Sequence, residues 1–129
     1  MSLKIISVRQ PWASLIVNGH KDVENRTWPT KYRGLVLIHA SLRSDDITHS
    51  EVGVRPPMLL PEGGIVGITE IVDCVKQSNS RWHVRHHWGF VLANSRPLPF
   101  VKWKGALSIR DAPAELLQLL NLDQRAAAA

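Results

Sequence analysis

Residues 10–28 read QPWASLIVNGHKDVENRTW, and this stretch restricts the fold more than any other. Trp12, Leu15 and Ile16 stand at i, i+3 and i+4, one face of a helix. Pro11 occupies a first-turn position where the missing N–H is tolerated, and Gly19 a position where helices end. The helix is therefore short, and Lys21, Glu24 and Arg26 follow its stop directly. If residues 22–28 are extended, a period of two puts Asp22, Glu24, Arg26 and Trp28 on one face. A helix capped at its glycine thus delivers an ammonium, a carboxylate and a guanidinium to one spot.

Eight prolines and eight glycines cut the rest of the chain into short pieces, so long helices do not dominate. Residues 3–8 are apolar and β-branched, a first strand. Residues 35–40 form the strongest strand, with Leu35, Leu37, His39 and Ser41 on one face and Val36, Ile38 and Ala40 on the other. A short helix is expected over 44–52, with Ser44 as N-cap and Ile47 as anchor. The proline-rich 53–64 segment reads as a loop or lid. Residues 64–76 form a long strand on which Glu70 shares an apolar row with Val66, Ile68, Val72 and Cys74. Such a carboxylate points into a polar cavity or marks a bulge that turns it outward. A basic, histidine-rich loop follows over 80–88, then a strand over 89–93, a turn at Pro97 and Pro99, and a last strand over 105–109. Asp111 caps a final helix that begins at Pro113, with Leu116, Leu117 and Leu120 as its stripe. The class is α+β: a small mixed β-barrel with two to three flanking helices. Length sets one domain over 1–125, followed by an alanine tail at 126–129.

A single cysteine, Cys74, excludes an internal disulfide framework and a thiolate zinc cluster. That usage suits a reducing cytosol, and the expected location is cytoplasmic. The first residues carry too short an apolar run for a signal peptide, and no later run has membrane-spanning length. The net charge of +5 is unevenly placed. Lys76, Arg81, Arg85, Arg96, Lys102, Lys104 and Arg110 form one run with no acid among them. Arg9, Lys21, Arg26, Lys31, Arg33 and Arg43 form another, opposed only by Asp22 and Glu24. Trp28, Tyr32, Trp82, Trp88 and Trp103 are interspersed. Cations with aromatic surfaces suit phosphate contact plus base stacking and attract polyanions such as RNA or a nucleotide, while tryptophans equally serve as core.

Ser7-Val8-Arg9-Gln10-Pro11-Trp12-Ala13, followed by Gly19-x-Lys21-x-x-Glu24-x-Arg26, resembles the ASCH domain (activating signal cointegrator homology), a PUA-like family. The match continues through Tyr32-Arg33-Gly34 and His39-Ala40-Ser41. The resemblance implies a PUA-like β-barrel whose helices flank a cleft, without a cofactor. It also implies nucleic-acid binding, with ribonuclease or acylcytidine amidohydrolase activity in some members and an adaptor role in transcription coactivators. The amidohydrolase site looks like a lysine, a hydroxyl residue three positions later and a glutamate on a central strand. Lys21 and Glu70 match that pattern, but Glu24 stands where the hydroxyl belongs.

For binding, the candidates are Gln10, Trp12, Lys21, Glu24, Arg26, Trp28, Tyr32, Arg33, His39 and Ser41. Arg26 offers a planar fork for phosphate or a base edge, and Glu24 orients Lys21. Gln10 offers an amide at the helix start, and Trp28 a stacking surface or a core anchor. For catalysis, the candidates are Lys21, Glu24 and Glu70, the last with a pKa raised by apolar surroundings or paired with Arg26 or Lys21. His39 reads as a hydrogen-bonded core residue or a site residue. His83 and His87 are i, i+4, but a metal needs a third ligand and no acid or thiol lies near, so they belong to a basic loop.

Overall fold

The first apolar segment pairs in parallel with the strongest strand, and the remaining strands extend that pair into a sheet of six. The computed structural model describes residues 3–54 and 59–122. Along the chain come β1 (Lys4–Gln10), α1 (Trp12–Val17), β2 (Val23–Arg26), β3 (Gly34–Ser44), a 3₁₀ turn (His49–Val52), β4 (Gly64–Val75), β5 (Trp88–Lys102), β6 (Arg110–Asp111) and α2 (Ala114–Leu119). The strand order is β2-β5-β4-β3-β1-β6. Among the described residues only the β1–β3 pair is parallel; the others are antiparallel.

The alternation along β3 divides the core. Val36, Ile38 and Ala40 join Ile6, Val8, Ala13, Ile16 and Val17 under α1, while Leu37 joins Ile5, Ile68, Leu116 and Leu120 under α2. Both faces of the central strands are thereby covered, and each fully buried aliphatic side chain contributes about 1.5–3 kcal/mol. On the second face the row runs Leu37, His39, Ser41, Arg43, apolar under α2 and polar beyond it. Its parallel neighbour does the same, from Ile5 to Ser7 and Arg9, with Ser7 in register with His39. A polar floor therefore opens at the C-terminal ends of β1 and β3.

The expected closed barrel is corrected to an open mixed sheet. β2 has four residues and β6 two, and among the described residues no backbone ladder joins these edges. Instead, Arg26 Nη2 crosses from β2 to donate to the Ser7 carbonyl at 2.7 Å. The helix expected over 44–52 is also corrected. β3 runs on to Ser44, whose hydroxyl donates to Glu62 rather than capping a helix, and Ile47 is exposed. Nor do Pro97 and Pro99 make a turn, because β5 passes through both. The strand expected over 105–109 is replaced by β6, and Asp111 pairs with Lys4 at 2.5 Å instead of capping α2. The bulge beside Glu70 belongs to β5, where Arg96 to Ala93 faces Ile68 to Glu70; β4 keeps its register with β3, so Glu70 stays in the Ile68 row, half-buried opposite Leu35. Positions 55–58 of the proline-rich loop, residues 123–125 of the expected domain and the alanine tail lie outside the described residues. Among the described residues no helix is long and apolar enough to cross a membrane.

Candidate functional site

Beyond α2 the polar floor opens into a cleft of about 1420 Å³, walled by β1, β2, β3, the 80–88 loop and the segment after β5. Lys21, Glu24 and Arg26 meet at its floor. Gly19 takes a left-handed φ of +83°, and the His20 and Lys21 N–H groups both donate to the Leu15 carbonyl, at 2.9 and 3.0 Å. This stop turns the Lys21 side chain inward, where it is 5% exposed. Its Nζ donates to the Val23 carbonyl, and to Glu24 Oε1 at 3.4 Å. Glu24 Oε2 accepts from Arg26 Nε at 2.9 Å and lies in ion-pair contact 2.8 Å from Nη2. Burial pushes the Lys21 ammonium below the ordinary lysine range, while the Glu24 carboxylate opposes that shift. Arg26 Nη1 makes no hydrogen bond among the described residues, so its two N–H groups are available to a ligand.

Beside this cluster Ser7 and His39 form a second one. His39 Nε2 donates to the Trp103 carbonyl at 2.7 Å, which leaves Nδ1 to accept the Ser7 hydroxyl proton at 3.1 Å. Ser7 Oγ in turn accepts the Ala106 N–H at 3.0 Å. Gly105 fits over the pair because a Cβ there would lie 3.1 Å from Ser7 Oγ and 3.2 Å from His39 Cε1. These bonds hold the 103–106 segment as one wall of the cleft.

The other walls are aromatic and basic. Trp12 Nε1 donates to Asp45 at 2.6 Å, and that indole N–H holds the Asp45 carboxyl below the ordinary range, with Arg9 adding to it. Trp28 packs edge-on against Phe90 with centroids 5.3 Å apart, and the Arg26 guanidinium lies 5.9 Å from its ring. The Arg81 guanidinium stacks 4.2 Å from the Trp82 ring. Asn25 fixes that loop by donating to the Trp82 carbonyl at 2.9 Å and accepting the Val84 N–H at 2.8 Å. The three carboxylates in the lining are all engaged: Glu24 by Lys21 and Arg26, Asp45 by Arg9 and Trp12, Glu62 by Ser44. Arg43, Lys102 and Lys104 also line the cleft, and their side chains have no hydrogen-bond or ion-pair partner among the described residues.

Of the residues singled out from sequence, Trp12, Lys21, Glu24, Arg26, Trp28, His39 and Ser41 line the cleft. Gln10, Tyr32, Arg33 and Glu70 do not. Gln10 is fully buried; its amide joins Ser14 to the Pro61 carbonyl, so it fastens β1 to α1 and the following loop instead of facing a ligand. Tyr32 donates to the Leu35 carbonyl at 2.6 Å, and burial raises its phenol pKa. Arg33 faces Asp73 at 3.6 Å. Glu70 accepts from Asn94 at 3.0 Å and touches neither Lys21 nor Arg26. The cleft also gathers Ser7, Asn25, Trp82, Trp103 and the cations Arg43, Lys102 and Lys104, none of which belongs to the candidates the sequence singles out for binding or catalysis. Ser7 was legible as the residue one β-period before Arg9, and the cations stood in the basic runs. Nothing local placed 103–106 against β1. Among the described residues no three His, Cys, Asp or Glu side chains converge as a metal site. His83 instead donates to the His87 carbonyl at 2.9 Å.

A family model described as "ASCH domain" matches residues 6–112. The chain is 34% identical over 83 residues to "Activating signal cointegrator 1" of Homo sapiens and 36% identical over 83 residues to the Mus musculus protein of that name. Each alignment takes in 56% of this chain and 14% of the relative, so the chain spans a small part of those proteins. The crystal structure of ASCH from Zymomonas mobilis superposes with a TM-score of 0.63 at 16% identity, over 94% of each chain. A mutant of that protein superposes with a TM-score of 0.63 over 95% of this chain and 98% of its own. At that identity the likeness is one of fold.

Proposed function

The chain belongs to the ASCH domain family, and from that premise we propose that residues 1–125 form one domain that binds single-stranded RNA or a modified nucleotide in the cleft above Lys21, Glu24 and Arg26. One observation carries this reading. Every carboxylate of the cleft is engaged inside the protein, while Arg43, Lys102 and Lys104 are not. The cleft therefore keeps uncompensated positive charge for phosphates. Trp28, Trp82 and Trp103 supply ring surface for bases, and Arg26 Nη1 supplies two fixed donors at the floor for a base edge. Glu24 does not compete, because its oxygens already face cations. Lys21 and Glu24 hold Arg26 in place more than they contact the ligand.

The test is fluorescence anisotropy with a labelled single-stranded oligoribonucleotide over a salt series. Three phosphate contacts give a slope of log K against log salt of about −2 from these side chains. The Arg43→Gln/Lys102→Gln/Lys104→Gln variant is expected to lose that component and to bind about 10- to 100-fold more weakly at low salt. Salt-independent binding, or unchanged binding by the triple variant, would sink the reading.

A second reading rests on the buried Lys21 amine, whose pKa burial lowers beside Glu24. It is hydrolysis of RNA or N4-acetylcytidine in the same cleft. Turnover by the wild type that vanishes in Lys21→Ala, with cooperative unfolding retained, would replace binding with catalysis. An intact substrate after long incubation would remove the hydrolase.

A further inference from the structure

The 80–88 loop that walls the cleft has a second concavity behind it. This groove of about 570 Å³ includes Lys76, His83, Arg85, His86, His87 and Trp88 in its wall, and among the described residues no carboxylate lines it. His87 lines both spaces, so the loop is a ridge between them. The ridge is built before any ligand arrives. Asn25 clamps Trp82 and Val84, and the His83 ring bridges the Ser78 hydroxyl at 2.8 Å and the His87 carbonyl at 2.9 Å. Gly89 backs that ring, since a Cβ there would stand 3.0 Å from His83 Cε1. A ligand crossing the ridge therefore has little loop to order.

Each flank carries the same pairing. On the cleft side the Arg81 guanidinium lies 4.2 Å from the Trp82 ring; on the groove side the Lys76 ammonium lies 5.0 Å from the Trp88 ring. A cation held against an indole keeps N–H donors for a phosphate beside a surface for a base. Lys76, Arg85 and His86 have no hydrogen-bond or ion-pair partner in their side chains among the described residues. The geometry points to a single polynucleotide strand that runs from the cleft over His87 into this groove, where Lys76 and Arg85 take its phosphates. The ligand is then a strand rather than a free nucleotide. This rests on the reading of the cleft as a nucleic-acid site.

Two probes separate the two ideas: a uridine trinucleotide that fills the cleft alone, and a labelled oligouridylate dodecamer that also reaches the groove. Lys76→Ala/Arg85→Ala should bind the dodecamer about tenfold more weakly than wild type and the trinucleotide within about twofold, with a salt slope shallower by about 1.4 for the dodecamer only. The extra registers of the longer strand affect both proteins equally. Both substituted side chains are exposed, and equal denaturation midpoints check the fold; Arg85→Glu gives a second variant should the midpoint of the first fall. If the dodecamer binds through Lys76 and Arg85 but the trinucleotide does not bind, the cleft reading falls and the continuous path from cleft to groove is overturned with it, leaving the groove as a separate strand site. If the trinucleotide binds and the double variant holds the dodecamer like wild type, the groove proposal is overturned. It is equally overturned if neither probe binds, or if Lys76 and Arg85 instead govern sedimentation with phosphatidylserine vesicles and not dodecamer affinity.

Discussion

Glu24 faces two cations at once, Lys21 Nζ at 3.4 Å from one oxygen and Arg26 through two nitrogens at 2.9 and 2.8 Å from the other. Its side chain is 12% exposed and that of Lys21 5%, so neither charge has water to replace the other. Desolvated ions in this position are stabilised by their partners or not at all. Glu24→Gln should therefore lower the unfolding free energy by about 3 kcal/mol in urea titration, because a buried ammonium loses its carboxylate. Glu70→Gln should stay within about 0.5 kcal/mol, since Glu70 meets only the Asn94 amide on an exposed strand surface. A comparable loss from both variants would contradict the placement of the two carboxylates. The contrast also explains what could be read early. Lys21, Glu24 and Arg26 lie within six positions, so a turn and a period of two bring them together. The Ser7–His39 pair needs the parallel register of β1 on β3, which no local pattern encodes.

Strand β5 shows how the same limit acts on an element. Two prolines within three residues signal a turn, yet β5 continues through Pro97 and Pro99. β2 pairs with β5 only from Trp88 to Val91; farther along, β4 alone is its partner. The prolines thus sit where β5 is an edge, and Pro99 falls in the irregular step between Pro97 and Val101 where the β4 register shifts. Their tolerance depends on where a neighbour ends, information held some seventy residues away in the chain. The apolar alternation of β3, by contrast, was fully legible, because both its faces are covered. The crossing of α1 over β4 depends on Gly67, where a Cβ would lie 2.5 Å from the Arg96 carbonyl oxygen and 2.5 Å from Val17 Cγ1. Gly67→Ala is expected to cost about 1–3 kcal/mol by forcing helix and strand apart. Adding Val17→Ala should recover only part, because the Arg96 carbonyl belongs to the backbone of β5 and cannot be trimmed. Full recovery in the denaturation midpoint would show that the helix, not the sheet, sets the spacing.

Across the whole molecule the net charge of +5 is concentrated by the way carboxylates are used. Glu24 pairs with Lys21 and Arg26, and Asp45 with Arg9; the cleft's cations outnumber its carboxylates, and Arg43, Lys102 and Lys104 have no ion-pair partner among the described residues. Cations gathered on a concave wall repel one another through low-dielectric surroundings, and folding brings them closer than the unfolded chain does. The proposed phosphate site would therefore be held against stability until a ligand arrives. The Arg43→Gln/Lys102→Gln/Lys104→Gln variant should lose affinity and yet unfold at an equal or higher urea midpoint than wild type at low ionic strength. The difference should shrink toward zero near 0.5 M salt, where the Debye length falls to about 4 Å. With an oligoribonucleotide present the order should reverse, since the wild type, binding more tightly, gains more stability by mass action. A triple variant less stable than wild type in the absence of RNA would mean that these side chains make stabilising contacts of their own, and the free charge of the cleft would no longer be available to argue for a polyanion.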